Sequence, residues 1–248
     1  MDALDLSGQT AVVTGGTSGI GRGIATVLDE QGANVVPVSR TESRVKDAAE
    51  AVDCDLVLPT DVSERAEVEA MLETVANEHG SIEILVNCAG IFQEEKDPTD
   101  ITDADWESVL GINLYGTFLA CQTVPKYMTG GNRAIVNVGS MVSETPLKGI
   151  TAYIASKGGI ISLTRSLAVE YADRDIRVNT LQPGYVKTRQ NREALESEKL
   201  RDAILRHTPM GRYGEAIEMG RVAAFLASPA ASYVTGEAVM VDGGFSVL

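Results

Sequence analysis

Thr14-Gly15-Gly16-Thr17-Ser18-Gly19-Ile20-Gly21 is the stretch that decides the fold of this chain. It joins an apolar run over Gln9–Thr14, which predicts a buried strand, to an amphipathic pattern over Gly19–Glu30, which predicts a helix. Glycines let backbone amides approach a phosphate, and the start of a helix carries a partial positive charge. The stretch therefore indicates a dinucleotide-binding loop. Its glycine spacing differs from the commoner G-x-G-x-x-G pattern, so a merely tight turn stays open at this point.

The rest of the chain continues to alternate strands with helices. We expect six more strands, over Asn34–Ser39, Leu56–Thr60, Ile84–Asn87, Ala134–Gly139, Ile176–Leu181 and Ala238–Val241. We expect five more helices, over Ser43–Ala51, Glu64–Glu78, Ala104–Tyr127, Ala152–Tyr171 and Ala216–Ala227. Single helices between strands require a parallel sheet covered on both faces. The predicted fold class is therefore α/β, with residues 1–248 forming one doubly wound Rossmann domain around a seven-stranded, mostly parallel sheet.

Two segments fit this pattern less well. Pro37 falls inside the second strand, where it removes a ladder donor, so either a bulge lies there or the strand ends one residue earlier. Tyr185–Thr208 is polar, follows Pro183-Gly184 and shows no strand pattern. Ligands of doubly wound folds lie at the carboxyl ends of the strands, so this segment is either a substrate lid or a solvated pair of helices.

Composition excludes several classes of protein. The chain has 248 residues, 44% of them hydrophobic, and a net charge of −14 that argues against nucleic acid or anionic membrane as a partner. The acidic N-terminus lacks a basic leader and no apolar run approaches a membrane span, so we expect a cytoplasmic protein. The acidity would also suit a high-salt host, although many ordinary bacterial proteins are equally acidic.

The cysteines do not form a metal site in the sequence. Cys54, Cys88 and Cys121 are odd in number, and with His79 and His207 they lack metal-ligand spacing. We expect reduced thiols and no bound metal.

The end of the second strand indicates which dinucleotide would bind. An acidic residue is expected there when the adenosine ribose carries a free diol, but the chain has Ser39 followed by Arg40. A guanidinium can pair with a 2′-phosphate, so NADP(H) is favoured and NAD(H) is the alternative. Asp61 could accept from the adenine amino group or could cap a helix, a role for which Ser63 competes.

Tyr153-Ile-Ala-Ser-Lys157 places a phenol and an ammonium four residues apart. On a helix, this spacing puts both groups on one face, about one turn from each other. A nearby cation favours the phenolate, so we expect the pKa of Tyr153 to fall toward working pH and the residue to serve as a proton donor and acceptor. Alone, the pair equally describes a surface helix.

Taken together, the chain resembles the short-chain dehydrogenase/reductase family in its compact branch of roughly 250 residues. The resemblance covers essentially the whole chain, and eight motifs follow one another in the family's order: Thr14–Gly21, Asp61, Asn87-Cys88-Ala89-Gly90, Asn113, Ser140, Tyr153-x-x-x-Lys157, Pro183-Gly184 and Val241-Asp242-Gly243-Gly244. Cys88 departs from the pattern, since the family usually has a second Asn there. The short Tyr-to-Lys spacing argues against the related enoyl reductases.

The resemblance implies a catalytic tetrad. Tyr153 would pass a proton to or from the substrate oxygen, and Lys157 would lower the pKa of Tyr153 and hydrogen-bond the nicotinamide ribose. Ser140 would donate to the developing oxyanion. Asn113 would hold a water molecule that joins Lys157 to solvent. The cofactor does the redox chemistry, a hydride transfer between a secondary alcohol and a ketone.

The resemblance also implies a set of cofactor contacts. In this sequence they are Gly15, Thr17, Ser18, Gly19, Ile20, Gly21, Ser39, Arg40, Asp61, Val62, Asn87, Ala89, Gly90, Tyr153, Lys157, Pro183, Gly184, Val186 and Thr188. Relatives of this size usually form homotetramers with D2 symmetry. Apolar positions on the long helices suit such interfaces or a buried core equally well: Phe118, Leu119, Ile160, Ile161, Leu163 and Leu167.

The substrate is indicated only by two further likenesses. Ser140–Glu144 and Arg206–Gly214 resemble segments of gluconate 5-dehydrogenases and related sugar-acid or polyol dehydrogenases. The candidate contacts to this small carbonyl or alcohol substrate are Ser140, Val142, Glu144, Tyr153, Tyr185, Arg189 and His207. A 3-ketoacyl thioester reductase is the alternative enzyme, and a catalytically silent NADP(H)-binding regulatory protein is the alternative outside enzymes.

Overall fold

The computed structural model of the chain describes residues 3–188 and 197–248. Eight strands lie in the described residues: β1 (Thr10–Thr14), β2 (Asn34–Val38), β3 (Ile84–Asn87), β4 (Arg133–Val138), β5 (Ile176–Pro183), β6 (Val186–Lys187), β7 (Gly214–Glu215) and β8 (Ala238–Val241). Six of them form one sheet in the order β2-β1-β3-β4-β5-β8, and all of its neighbours are parallel. The strand order reverses direction between β1 and β3, which makes a switch point at their carboxyl ends.

Helices connect the strands and cover the sheet. They are α1 (Gly19–Glu30), α2 (Glu42–Glu50), α3 (Arg65–His79), α4 (Asp103–Leu110), α5 (Gly116–Thr123), α6 (Thr151–Glu170), α7 (Glu198–His207) and α8 (Ala216–Ala227). The cluster on one face combines the sheet with α1 and α8, and the cluster on the other combines it with α3, α5 and α6. The predicted doubly wound α/β fold is therefore confirmed.

Glycines set the distance between the two helices on the first face. A Cβ atom built on Gly23 of α1 would lie 2.5 Å from the carbonyl oxygen of Ala216, at the start of α8. One built on Gly220 of α8 would lie 2.5 Å from the carbonyl oxygen of Gly23. Since neither position has room for a side chain, the two helices pack backbone against backbone at this crossing.

The predicted third strand, Leu56–Thr60, is wrong. This segment forms only one isolated parallel bridge, between Ser39 and Pro59, in which the N–H of Thr60 donates to the carbonyl of Ser39 at 2.9 Å. Alternate residues of β2 face this edge, and the next one back is Pro37, which has no N–H to donate. The ladder cannot continue, and the main sheet has six strands instead of seven.

Pro37 itself lies in register with Val13 of β1, without a bulge. Its missing N–H is on the outer edge of β2, away from β1, so the pairing inside the sheet loses no hydrogen bond. The strand ends at Val38, one residue earlier than the sequence pattern indicated.

Two further predictions need correction. The helix expected over Ala104–Tyr127 is divided into α4, a π-helical turn over Gly111–Tyr115, α5 and a 3-10 turn. The absence of sheet structure from Tyr185–Thr208 is also wrong, because β6 pairs in parallel with β7. The partner strand lies beyond the segment in sequence, so local composition held no sign of the pairing. Residues 189–196 of the segment lie outside the described residues.

No helix within residues 3–188 and 197–248 combines the length and the apolar character needed to cross a bilayer.

Arg177 of β5 holds the C-terminal end of α8. Its guanidinium donates to the carbonyl oxygens of Leu226, Ala227 and Ser228 at 2.6, 3.2 and 3.1 Å. The last carbonyls of a helix have no partner within the helix, and they carry partial negative charge that a cation stabilises.

We predict that Arg177→Ala lowers the free energy of unfolding by about 2 kcal/mol, since it removes several charge-assisted hydrogen bonds. Thermal unfolding should then shift downward by roughly 4–8 °C. Arg165→Ala is the matched control, because Arg165 lies exposed on α6. Equal shifts in the two variants would contradict the capping role of Arg177.

Candidate functional site

The candidate site lies where the carboxyl ends of four strands meet. The glycine loop follows β1, Asn87-Cys88-Ala89-Gly90 continues from β3, Ser140 follows β4, and Pro183-Gly184 ends β5. Since neighbouring parallel strands end at one edge, these segments come together although they are far apart in sequence.

The glycine loop packs directly on the end of β3. Gly15 has φ +69°, and a Cβ atom there would lie 2.8 Å from the backbone nitrogen of Ala89. A Cβ atom on Gly21 would overlap the carbonyl oxygen of Gly15. The hydroxyl of Thr14 accepts from the amides of Cys88 and Ala89 at 3.2 and 3.3 Å. The loop is thus held as a backbone-lined cradle at the start of α1.

This cradle fits a dinucleotide. At its far side, the Ser39 hydroxyl is buried and has no hydrogen-bond partner among the described residues. Thr188 lies over the loop, with its methyl group 3.4 Å from the Cβ position of Gly19. Backbone amides at a helix start suit a pyrophosphate, and an unpaired hydroxyl beyond them suits a ribose substituent.

Arg40 and Asp61 lie beside each other at the same end. Arg40 Nη1 is 3.8 Å from Asp61 Oδ2, and 59% of the arginine side chain is exposed. Burial acts to raise the pKa of Asp61, but hydrogen bonds from Ser63 and the charge of Arg40 outweigh it and the pKa is lowered. Asp61 Oδ1 accepts from both the hydroxyl and the amide of Ser63, so it holds the turn before α3; neither Asp61 nor Ser63 caps this helix, whose N-cap position is Glu64.

Asn87 is used inside the sheet. Its Nδ2 donates to Asn137 Oδ1 at 2.9 Å, and Asn137 Nδ2 donates to Thr164 on α6 at 2.9 Å. This buried polar chain ties β3, β4 and α6 together beneath the site, and the sequence pattern did not indicate Asn137 or Thr164. Next to Asn87, burial raises the pKa of the Cys88 thiol to about 11, against the opposing charge of Lys157.

Tyr153 and Lys157 lie one turn apart on α6, as the spacing predicted. Lys157 is 5% exposed, and its Nζ donates to the carbonyl oxygen of Val138 at 2.8 Å. The same nitrogen is 5.6 Å from the centroid of the Tyr153 ring. The ring of Phe92 also packs on the tyrosine, with ring centroids 4.8 Å apart. The ammonium is therefore placed behind the phenol and fixed by the backbone of β4.

The expected fall in the pKa of Tyr153 is not found. Burial raises the pKa of the phenol to about 12, although a hydrogen bond with Ser140 acts to lower it. Burial instead lowers the pKa of Lys157 to about 8. Loss of hydration penalises the charged form of each group, and it is the largest cause of both shifts. At neutral pH, the site therefore holds a protonated phenol beside a cation.

Ser140 joins this pair from the end of β4. It begins the 3-10 turn Met141–Ser143, and its hydroxyl accepts from the amide of Val142 at 3.4 Å. The Ser140 hydroxyl acts to lower the pKa of Tyr153, which places the two hydroxyls near each other at the strand end. One ligand oxygen could contact both.

Asn113 lies in the π-helical turn and is fully buried. Its Oδ1 accepts from the amide of Ile91 at 2.8 Å, and its Nδ2 donates to the carbonyl of Ile91 at 3.0 Å and to Ser156 Oγ at 3.1 Å. The side chain is occupied in joining the loop after β3 to α6. The side-chain amide of Asn113 is used in these contacts. The water relay expected for Asn113 stays a prediction.

Gln93 is a site residue that the sequence pattern missed. It is 3% exposed, and its Oε1 accepts from the amides of Ala152 and Tyr153 at 2.8 and 3.2 Å. It thereby holds the first turn of α6, which carries the tyrosine. The one sign in the sequence is that Ile150, which precedes the helix, cannot cap it with its side chain. The free amides of the first turn therefore need a partner from elsewhere in the chain.

Some of the substrate candidates lie together around Tyr153. Val142, Tyr153 and Tyr185 belong to one apolar cluster with Phe245, whose ring meets Tyr185 edge-on with centroids 5.4 Å apart. His207 lies at the end of α7, with its ring centroid 6.1 Å from that of Phe245. Glu144 Oε1 accepts a hydrogen bond from Gln182 Nε2 of β5 at 3.1 Å. Arg189 lies outside the described residues.

Known proteins are similar to this chain over nearly its whole length. A family model described as enoyl-(acyl carrier protein) reductase matches residues 15–246. The 2-dehydro-3-deoxy-D-gluconate 5-dehydrogenase of Bacillus subtilis is 37% identical, over 98% of this chain and 97% of its own. The galactitol 2-dehydrogenase (L-tagatose-forming) of Cereibacter sphaeroides is 40% identical, over 98% and 96%. The 3-oxoacyl-(acyl-carrier-protein) reductase of Thermotoga maritima is 36% identical, over 98% and 99%.

A solved structure gives the same result in three dimensions. The short-chain type dehydrogenase/reductase from Mycobacterium marinum is 30% identical to this chain, and the two superimpose with a TM-score of 0.91 over 98% of each.

Proposed function

Since the chain belongs to the short-chain dehydrogenase/reductase family, we propose that this oxidoreductase interconverts a secondary alcohol and a ketone on a sugar acid, a polyol or a related small hydroxy compound. The observation that carries the proposal is the meeting of Tyr153, Ser140 and Lys157 at the end of β4. A bound nicotinamide cofactor would supply or accept the hydride.

Tyr153 is proposed as the proton donor for carbonyl reduction. With its pKa raised to about 12 by burial, it keeps its proton at neutral pH and can give it up only to a strongly basic oxygen. Ser140 would donate to the same oxygen and fix its position. Lys157 would stabilise the phenolate left behind, since its cation is held at 5.6 Å from the ring.

The substrate class rests on the names of the relatives. Two of the relatives carry names of a sugar-acid and a polyol dehydrogenase. The 3-oxoacyl reductase relative supports a second candidate, reduction of a 3-ketoacyl thioester. A thioester on a carrier would require a basic docking surface, which a net charge of −14 disfavours. The regulatory alternative would have no need for a complete set of Tyr153, Ser140 and Lys157.

Residues proposed to hold the cofactor are those of the glycine cradle together with Ser39 and Arg40. We further propose one domain over residues 1–248, with Tyr185–Thr208 acting as a lid, and a cytoplasmic location. The packing of Thr188 on the Gly19 turn supports the lid, because it brings the start of that segment onto the glycine loop.

We predict that Tyr153→Phe lowers kcat by about a thousandfold and leaves cofactor affinity nearly intact, because only the transferable proton is removed. Turnover and fluorescence titration with NADPH measure the two effects. Phe92→Leu, which alters the neighbouring ring and keeps the hydroxyl, is the comparison. Substantial activity in Tyr153→Phe would rule out Tyr153 as the acid.

We predict that kcat/KM for ketone reduction falls as pH rises through about 8, where Lys157 loses its charge. Burial lowers the pKa of Lys157, so the cation predominates below this value and is progressively lost above it. A pH profile from 6 to 10 measures the step. Lys157→Arg keeps its charge over this range and should lack the step, so an identical fall in that variant would assign it to another group.

We predict a kcat/KM at least about tenfold higher with NADP(H) than with NAD(H), since Arg40 can pair with a 2′-phosphate. Asp61 at 3.8 Å shares the guanidinium, which limits the preference. Arg40→Leu should remove most of the ratio, whereas Arg44→Leu should retain it. Comparable values for both cofactors in the unaltered enzyme would contradict the assignment.

We predict a homotetramer. Leu119, Ile160, Ile161 and Leu167 are buried within the chain and are not available for an interface. A shallow apolar groove on α4, the π-helical turn, α5 and α6 remains, lined by Leu110, Gly111, Leu114, Tyr115, Phe118, Gly159 and Leu163. Light scattering should give a molar mass four times that of one chain, and Phe118→Asp should lower this molar mass. A molar mass equal to that of one chain in the unaltered protein would contradict the proposal.

A further inference from the structure

Gln182 is a buried polar side chain with an unusual balance of hydrogen bonds. It is the penultimate residue of β5 and is fully buried. Its Nε2 donates to Glu144 Oε1 at 3.1 Å, while its Oε1 has no partner among the described residues. Leaving a buried amide oxygen unpaired costs free energy that an apolar residue of the same size would not. Stability alone therefore does not explain an amide side chain at position 182.

The residue that Gln182 holds is joined to Ser140 by one short turn of the chain. Glu144 ends the 3-10 turn that Ser140 begins, and its amide donates to the carbonyl oxygen of Met141 at 3.0 Å. The turn is short and bonded at both ends, so Ser140 and Glu144 are fixed relative to each other. Strand pairing fixes Gln182 as well, because Leu181 pairs with Val138 and the amide of Gly139 donates to the carbonyl of Leu181 at 2.8 Å.

The chemistry of this pair specifies what can lie beside it. Glu144 is exposed, and Gln182 uses only one of the several hydrogen bonds that its carboxylate can accept. An ionised carboxylate accepts hydrogen bonds from hydroxyl groups. It repels a second carboxylate, and it gains nothing from an alkyl chain that displaces its water.

We propose that Glu144 is a specificity-determining residue that accepts hydrogen bonds from a substrate hydroxyl next to the reacting carbon, and that Gln182 is the positioning residue that aims it. The proposal rests on the function proposed above and narrows it to neutral polyhydroxy substrates, namely a polyol and its ketose. A substrate with a carboxylate or an acyl chain at that position is disfavoured.

The test uses the full-length enzyme and three alcohols: galactitol as a polyol, gluconate as an acid of equal chain length, and 2-hexanol as an alcohol without further polar groups. The unaltered enzyme should show the highest kcat/KM with galactitol. Glu144→Ala should lower this value by about tenfold or more, mainly through KM, and should change the value for 2-hexanol by less than about twofold. Glu170→Gln, an exposed carboxylate at the end of α6, is the control for a change of charge.

Gln182→Leu should reproduce the loss with galactitol, and the double variant Gln182→Leu with Glu144→Ala should lose no more than Glu144→Ala alone. Such non-additivity is expected when one residue acts through the other, and a purely structural role would not produce it. Because Glu144 is exposed, Glu144→Ala remains informative if Gln182→Leu folds poorly.

Three results would overturn the proposal. They are a preference of the unaltered enzyme for gluconate, an equal loss with galactitol and 2-hexanol in Glu144→Ala, and additive losses in the double variant. In each case turnover itself persists, so the proposed oxidoreductase function survives. No oxidation of any of the three alcohols, and no reduction of the corresponding ketones, would overturn both.

Discussion

The contact between Gly15 and Ala89 is the constraint on which the rest of the structure depends. The turn after β1 passes so close to the end of β3 that a side chain at Gly15 has no room, and the Thr14 hydroxyl bonds the two strand ends together. This contact lies where the order of the strands reverses, the position at which doubly wound folds bind their ligands. The close contact between the glycine turn and the end of β3 therefore also shapes the backbone-lined cradle that suits a nucleotide.

Burial governs the chemistry on the other side of that contact. Lys157 is enclosed between α6 and β4, and Tyr153 packs against Phe92 and the apolar cluster that contains Tyr185 and Phe245. Loss of hydration disfavours both charged forms, so the pKa of the Tyr153 phenol is raised and the pKa of the Lys157 ammonium is lowered. In a family of enzymes that transfer a hydride, a protonated phenol next to a cation is suited to donate the proton that accompanies the hydride.

The motifs predicted most of this arrangement because each one depends on local sequence. The glycine loop requires a strand, a tight turn and a helix in immediate succession, and Tyr153 and Lys157 require only one helical turn. The errors arose where neighbours distant in sequence decide the outcome. Leu56–Thr60 has a strand pattern, but Pro37 on the adjoining strand has no N–H to donate to it. Gln93 has no recognisable motif, and it became visible only when its loop met the first turn of α6.

The sequence by itself determined the α/β class, the glycine turn and the helical pairing of Tyr153 with Lys157. These follow from hydrophobic period and from residue types with narrow backbone or chemical preferences. Only the tertiary structure decided the number of strands, the directions of the pKa shifts and the contact between Glu144 and Gln182. Each of these depends on burial or on hydrogen bonds between segments far apart in the chain, and a local pattern contains no information about either.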